Sequence, residues 1–311
     1  MITKIYNKIG RVMLGAAFFA LYSSLFTSCT SGDQDFPDYD YQTVYFAKQY
    51  PVRTVELGND DYVDLTLDNQ HKINIKATMG GAYDNRRNIT VNIAIDPSLC
   101  DGAKFKDTGE EVVVMPTSYY QLAAQTITIP AGQISAGVEV QLTDAFFADP
   151  LSVTRHYVIP LRMVSATGVD SVLSNKNYVL YAVKYINRYA ANYVYAGTNN
   201  VLNMSTVDLN CVSLSYGAKD ASGKEHPCLI TLHFGNDGHC TMTTDSEGFT
   251  VEGTGRFVEA DETQLLGARH PDTMYLNFTV TNEALGIRTS EQMVLHVQTR
   301  GVVPESFEIE N

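Results

Sequence analysis

The stretch Ile89-Thr-Val-Asn-Ile-Ala-Ile95 establishes the fold class, because its apolar residues recur at every second position. A period of two sends the Ile and Val side chains to one face of a β-strand and the intervening side chains to the other. The segment His71–Ala77 repeats this alternation, and a turn-rich connection separates the two. We therefore predict a pair of strands with one buried face.

Similar short strands continue along the chain, separated by Gly, Pro and Asn, and only brief helices such as Ser118–Ala124 are predicted. The further predicted strands are Val44–Phe46, Val112–Met115, Thr126–Ile129, Val138–Leu142, Tyr157–Val164, Tyr178–Tyr185, Leu209–Tyr216, Pro227–Phe234, Cys240–Thr244, Phe249–Phe257, Thr273–Val280 and Glu291–Thr299. This spacing predicts an all-β chain, with a β-sandwich over residues 44–190 and a smaller antiparallel sandwich or barrel over residues 191–311.

The composition is that of a globular chain and argues against nucleic-acid binding. Of the 311 residues, 44% are hydrophobic and 18% are charged, and 22 Lys and Arg stand against 35 Asp and Glu, for a formal charge of −13. Binding of phosphates requires a basic surface that releases counterions. We therefore predict no nucleic-acid partner.

The first residues have the features of a lipoprotein signal peptide. Residues 1–28 contain three basic residues and no acid, and their apolar run is too short for a spanning helix of about 20 residues. In Leu25-Phe-Thr-Ser-Cys29, small residues directly precede a cysteine, as in the bacterial lipobox. An ordinary cleavage site with an incidental cysteine is the alternative. We predict that residues 1–28 are removed and that Cys29 carries the lipid.

Residues 29–43 are predicted to form an acidic tether. Cleavage would leave 19 Lys and Arg against 35 acids, so the mature chain would carry −16, and four aspartates lie between Cys29 and Tyr41. Lipid chains anchor by burying methylene groups and need no basic patch. The acidic stretch resembles the surface-export signal of Bacteroidetes lipoproteins, with a plain linker as the alternative. We expect an outer-membrane, cell-surface protein that contacts the membrane through its lipid anchor only.

The common catalytic motifs are absent from the sequence. Gly-x-Ser-x-Gly, His-Glu-x-x-His and P-loop patterns do not occur, so we predict no enzyme, no cofactor and no metal. Chance carboxylate pairs among 35 acids leave a glycosidase as an alternative. The acidic segment Asn59–Asp68 is interpreted as a solvated loop rather than a calcium site. Cys100, Cys211, Cys228 and Cys240 are expected to be thiols, with one bridge among the last three left open.

Two strands of the second unit carry the candidate ligand site. Alternation places Tyr275 and Asn277 opposite the apolar face of one strand and His296 opposite that of the other. If these strands pair, the three side chains share one sheet face, and His233 projects outward from its own strand by the same parity. The alternative is a solvated outer face with a cross-strand aromatic pair.

Tyrosine is the aromatic residue available for sugar stacking, because the chain has 19 Tyr and no Trp. A tyrosine ring combines a flat apolar face with a hydroxyl group. Aromatic residues predicted to lie in loops are comparable candidates for a ligand site. They are Tyr83 with Asn85, Tyr195 and Tyr216.

Several stretches resemble known domains. Thr126-Ile-Thr-Ile-Pro-Ala-Gly132 with Tyr157-Val-Ile-Pro-Leu161 looks like the strand–Pro-Ala-Gly–strand pattern of Calx-β sandwiches. Residues 44–190 resemble more specifically the Bacteroidales domain of unknown function 1735. The stretch Val251-Glu-Gly-Thr-Gly-Arg-Phe257, followed by Asp272–Phe278, is similar to the C-terminal β domain that often follows it. The resemblance implies an Ig/Calx-β-like sandwich before the second β domain.

The resemblance also implies a function. Such proteins are surface lipoproteins of Sus-type glycan-uptake systems, where they bind glycan non-covalently beside an outer-membrane transporter. The same N-terminal domain also precedes family 18 glycoside hydrolase barrels, but the roughly 120 residues after residue 190 are too few for a barrel of that kind. The alternatives are a structural or interaction lipoprotein that docks on the transporter and a hydrolase with an unrecognised carboxylate pair.

Overall fold

Two β units follow one another in the computed structural model, which describes residues 41–60, 63–260 and 272–310. Two short α-helices, α1 (Thr66–Asn69) and α2 (Asp144–Ala148), lie in the first unit. None of the helices in those ranges is long and apolar enough to cross a membrane. Because both units consist almost entirely of strands, the all-β fold class is confirmed. The predicted signal peptide, Cys29 and the tether up to residue 40 lie outside the described residues.

The first unit is the predicted sandwich. Its strands are β1 (Thr43–Tyr45), β2 (Pro51–Glu56), β3 (Lys72–Gly80), β4 (Ile89–Ile95), β5 (Lys104–Phe105), β6 (Val113–Val114), β7 (Tyr120–Leu122), β8 (Thr126–Ile129), β9 (Ser135–Leu142), β10 (Tyr157–Thr167), β11 (Ser171–Val172) and β12 (Tyr178–Ile186). One sheet has the order β11-β1-β3-β9-β7 and the other β2-β12-β10-β4-β8, with β6 added beside β10. The inward faces of both sheets form one core, to which Phe46, Ile75 and Tyr185 belong.

The second unit is a closed barrel of eight antiparallel strands. Its strands are β13 (Ala191–Tyr195), β14 (Val201–Asp208), β15 (Cys211–Lys219), β16 (Glu225–Phe234), β17 (His239–Thr243), β18 (Thr250–Val258), β19 (Thr273–Asn282) and β20 (Ile287–Thr299). Each strand pairs with the next one in the chain, and β20 pairs with β13. Inward side chains such as Tyr193, Phe278 and Leu295 fill the interior. Of the two forms predicted for this unit, the chain adopts the barrel.

The last described residues return to the sandwich. Strand β21 (Glu305–Ser306) pairs with β2, and β22 (Ile309–Glu310) pairs with β5. Between them Phe307 is buried with Phe105 and Leu180 in a separate core on the outer side of the second sheet. The predicted unit of residues 191–311 therefore contains the barrel and, after it, a segment that packs on the first unit.

One local prediction is wrong. The segment Ser118–Ala124 was expected as a brief helix, but it contains β7, whose residues pair with β9. Tyr120 is buried while Gln121 is exposed, which is the alternation of a strand and not the periodicity of a helix. Pairing with a longer neighbouring strand has overridden the local helical preference.

Candidate functional site

A groove lies on the outer face of the barrel, over strands β17 to β20. It has a volume of about 460 Å³, which is within the range of small-ligand sites. Both outward side chains and the backbone of the strands contribute to its wall. The lining residues are His239, Thr254, Gly255, Arg256, Tyr275, Leu276, Asn277, Gln292, Met293 and Val294.

Strand alternation explains how the groove obtains its polar wall. Met274, Leu276 and Phe278 are buried in the barrel, so Tyr275 and Asn277 point outward from the same strand. On β18, Phe257 is buried and the neighbouring Arg256 is exposed. The packing of the barrel interior therefore sets the direction of every side chain that faces the groove.

The strand register arranges these side chains in two neighbouring rows. Antiparallel partners point to the same side of a sheet, so residues aligned across the strands lie side by side. The first row consists of His239, Arg256, Tyr275 and Val294. The second row consists of Thr241, Thr254, Asn277 and Gln292.

Arg256 and Tyr275 form the centre of the first row. The guanidinium carbon of Arg256 lies 5.6 Å from the centroid of the Tyr275 ring, within the range of a cation–π contact. Tyr275 keeps 42% of its surface exposed. Among the described residues, no carboxylate lies within ion-pair distance of Arg256. The groove thus offers an aromatic surface beside five guanidinium N–H donors.

Two of the four predicted ligand residues line the groove, and His296 lies just outside it. His296 shares the outer face with Tyr275 and Asn277, as the parity predicted. It is in register with Thr273, and its Nδ1 lies 3.0 Å from the hydroxyl of Thr273. His296 is therefore engaged within the barrel wall, one row beyond Tyr275.

His233 also faces outward, but it lies away from the groove. Its Nδ1 is 3.2 Å from Cys211 Sγ and its Nε2 is 2.8 Å from Thr243 Oγ1. Three strand-to-strand steps separate His233 from Asn277, a distance of about 14 Å at the usual strand spacing. The expected outward direction of His233 is observed, but the structure does not bring it together with Tyr275.

Most groove residues were not predicted from the sequence, among them His239, Arg256 and Gln292. A signal for Arg256 was present, because the predicted strand Phe249–Phe257 already places Arg256 opposite the apolar Phe257. Alternation within one strand does not predict that Arg256 lies beside Tyr275. That alignment depends on how β18 and β19 pair, and a long connection separates the two strands in the sequence. Register is a property of the pair and not of either strand alone.

The alternative candidates Tyr83 and Asn85 do not line the groove. Asn85 is buried, and its side-chain amide donates to the carbonyls of Pro130 and Gln133, at 2.8 and 2.9 Å. Asn85 stabilises a connection in the sandwich. Its prediction as a ligand-binding residue is therefore wrong, because its side chain is buried and already hydrogen-bonded. The neighbouring Tyr83 is 71% exposed.

Tyr216 and Tyr195 belong to the barrel itself. The Tyr216 ring contacts Phe278 edge-on inside the barrel, and its hydroxyl donates to Glu291 Oε1 at 2.7 Å. Burial and this hydrogen bond raise the pKa of Tyr216 well above its usual range. The Tyr195 hydroxyl donates to the carbonyl of Gln292 at 2.9 Å. Both had been expected in loops, and both are located on strands.

The four described cysteines are free and buried. They are Cys100, Cys211, Cys228 and Cys240. Burial raises the pKa of Cys240 to about 12, so this thiol stays protonated at neutral pH. In the acidic segment near residue 60, Asp68 is buried and pairs with Arg53. Within the described ranges, no group of three or more His, Cys, Asp or Glu side chains is arranged to hold a metal ion.

Two family models match the chain in succession. A model described as an N-terminal domain matches residues 39–170, and the domain of unknown function 5627 matches residues 166–301. All groove residues lie within the second match. No curated protein matches the chain significantly.

Solved structures from Bacteroides are similar to the chain. A Bacteroides ovatus protein of unknown function is 42% identical, with 88% of this chain and 99% of that chain covered, at a TM-score of 0.79. A multidomain Bacteroides ovatus protein that includes the domain of unknown function 1735 is 15% identical, with 83% and 93% covered, at a TM-score of 0.41. An auxiliary nutrient binding protein from Bacteroides thetaiotaomicron is 14% identical, with 78% and 89% covered, at a TM-score of 0.39. The last two scores are too low to carry a functional argument.

Proposed function

This chain belongs to the same family as the Bacteroides ovatus protein of unknown function, and on that premise we propose that it binds glycan non-covalently at the groove on its barrel. The observation that carries the proposal is the exposed ring of Tyr275 beside the side chains of Asn277 and Gln292. Sugars present apolar C–H faces and many hydroxyl groups. A ligand site for them combines apolar surface with a few placed hydrogen-bonding groups.

Binding is favoured over hydrolysis by the chemistry of the groove wall. A glycosidase requires two carboxyl groups that face the same bond, about 5–10 Å apart. The described lining of the groove contains amides, hydroxyls, one imidazole and one guanidinium, and no carboxylate. A ligand held there would find hydrogen-bond partners but no pair of carboxyl groups, so the proposed role is recognition without catalysis.

The proposed location is the cell surface, beside an outer-membrane transporter of the Sus type. The lipobox-like stretch before Cys29 and the acidic tether after it support a lipid anchor, and the relative of known structure comes from Bacteroides. The anchor would hold the sandwich and barrel near the membrane, and the groove would supply glycan to the transporter. In the rival arrangement, the chain docks on the transporter as a spacer and binds no sugar.

Glycan binding is tested by affinity electrophoresis against a panel of soluble polysaccharides. We expect at least one polysaccharide to retard the wild-type protein. Tyr275→Ala should weaken this retardation at least about tenfold, because it removes the aromatic contact surface. Tyr83→Ala is the matched control, since it removes another exposed tyrosine far along the chain from the groove. If no polysaccharide retards the protein, or if both variants behave alike, the groove does not bind glycan.

The lipid anchor is tested separately by fractionation of cells that express the full chain. The wild-type protein should be recovered with the outer membrane, and Cys29→Ala should move it to the soluble fraction, because the acyl chains are the proposed attachment. Cys100→Ala is the control and should leave the distribution unchanged. Continued membrane retention of Cys29→Ala would refute lipidation at this residue.

A further inference from the structure

We infer that the groove selects a sugar unit that carries a negative charge, either a carboxylate or a sulfate, and places that charge at Arg256. This inference rests on the proposed function, since it names the class of glycan that the same site would take. It follows from the charges in the groove wall and from their order along the strands.

The groove is locally cationic in a chain that is strongly acidic overall. Arg256 and His239 are aligned partners on β18 and β17, and both are exposed. The whole chain carries −13, yet neither the lining nor the described neighbours of Arg256 supply a carboxylate to pair with it. An exposed arginine without an acidic partner is free to bind an anion from solution, and its planar fork suits carboxylate and sulfate oxygens.

Tyr275 prepares Arg256 for this role. The guanidinium lies over the tyrosine ring, with 5.6 Å between Cζ and the ring centroid. Stacking on an aromatic face reduces the number of rotamers that a long side chain must give up when it binds. A charged group on a sugar could therefore reach the guanidinium while the same sugar contacts the tyrosine.

The charge changes along the outer face of β18, because Glu252 lies near the start of the strand and Arg256 near its end. Arg256, Thr254 and Glu252 are successive outward residues of this strand, about 7 Å apart. Glu252 is aligned with Thr279, in the row beyond Asn277, and it does not line the groove. An acidic sugar at the Arg256 end would place its neutral neighbours over the row of Asn277 and Gln292. A second acid over Glu252 would be repelled.

The inference is tested by calorimetry with two pairs of oligosaccharides that differ only in charge. One pair is a galactan oligosaccharide that ends in a single galacturonate and its methyl ester, and the other is a galactan oligosaccharide that carries a single sulfate and its unsulfated form. We expect the charged member of at least one pair to bind at least about tenfold more tightly than its neutral form. The pair that shows this preference distinguishes a carboxylate ligand from a sulfate ligand.

Two variants of β18 assign the preference to Arg256. Arg256→Gln should abolish the tenfold preference, while Glu252→Gln, an equal but opposite charge change on the same face of the same strand, should preserve or increase it. Circular dichroism checks that both variants keep the β fold. A preference that survives in Arg256→Gln would overturn the inference.

The remaining outcomes separate this inference from the proposed function. If neutral glycans bind as tightly as charged ones and Tyr275→Ala weakens them all, the charge selection is wrong and the glycan site stands. The same conclusion applies if neither pair binds but another neutral polysaccharide does so through Tyr275. If no carbohydrate binds at all, the proposed function fails and the inference fails with it.

Discussion

Phe307 packs into the sandwich although it follows the barrel in the chain and does not line the groove. It lies after the last barrel strand, yet its ring centroid is 5.1 Å from that of Phe105 and 5.5 Å from that of Tyr50, both in the sandwich. Its backbone N–H also donates to the carbonyl of Tyr50. Phe307 keeps only 5% of its surface exposed. The returning segment is therefore held by a buried aromatic residue and two short strand pairings.

We predict that Phe307→Ala lowers the free energy of unfolding by about 3 kcal/mol or more, because a large buried ring is replaced by a cavity. Denaturant unfolding measures the loss, and hydrogen exchange should locate it in the sandwich near residues 97–114. Glu308→Ala removes an exposed neighbour together with its solvent-screened ion pair to Lys106, and it should change stability by no more than about 1 kcal/mol. Equal effects of the two substitutions would show that the segment is not part of the folded sandwich.

The site residues show what strand parity alone can predict. Tyr275 and Asn277 were placed outward because Met274, Leu276 and Phe278 alternate with them, and the structure has them on that face. Asn85 was misjudged because a loop asparagine that binds sugar and one that caps backbone carbonyls have the same sequence signature. The distinction lies in the carbonyls of Pro130 and Gln133, which are 45 and 48 residues away in the chain.

At the scale of elements, strands with strong alternation were predicted well and weakly patterned strands were missed. β4 and β8 have the predicted bounds, because every second residue is apolar. β14 was not predicted, since Met204 is its one fully buried residue. β13 was not predicted either. β13 is held in the wall by its pairing with β20, which closes the barrel. A pairing between strands so far apart in the chain produces no pattern within either strand.

Strand β18 illustrates how glycine shapes the barrel wall under the groove. Gly253 and Gly255 face the interior, and a Cβ at Gly255 would lie 2.7 Å from Leu276 and 2.8 Å from Cys240 Sγ. Glycine at these positions lets β18 approach β19 and the core closely. On the outer side of the same pair, the strand register places Arg256 beside Tyr275. The segment Phe249–Phe257 was predicted as a strand, and the structure uses its two glycines for close packing.

At the scale of the whole molecule, Arg300 links the sandwich to the barrel. It directly follows β20 and is buried, and its guanidinium donates to Leu57 O at 2.6 Å, Arg188 O at 2.7 Å and Ala190 O at 2.8 Å. Leu57 follows β2 of the sandwich, whereas the other two acceptors lie in the connection that leads into the barrel. Gly58, with φ of 107°, leaves room for the guanidinium, because a Cβ there would collide with it.

The connection between the units is fixed from the barrel side as well. Asn187 is fully buried, and its amide donates to the carbonyls of Asp208 and Cys211 at 2.7 and 2.8 Å. Its Oδ1 accepts hydrogen bonds from the N–H groups of Tyr189 and Ala190. The chain therefore passes from β12 to β13 through a hydrogen-bonded turn and not through a free linker. We expect the two units to unfold together as a consequence.

We predict that Arg300→Met destabilises the protein by about 3 kcal/mol or more and separates its unfolding into two transitions. The substitution leaves four carbonyl groups without their donor, since Arg300 Nε also donates to Asn59 O at 3.3 Å. A buried acceptor without a partner costs about 1–3 kcal/mol. Arg300→Lys should recover only part of the loss, because one ammonium group cannot reproduce the planar fork of donors. Arg288→Met, an exposed change on the same barrel strand, should have little effect. A single, unshifted transition in Arg300→Met would mean that the units are joined by the aromatic contacts of Phe307 and the turn at Asn187, without a contribution from Arg300.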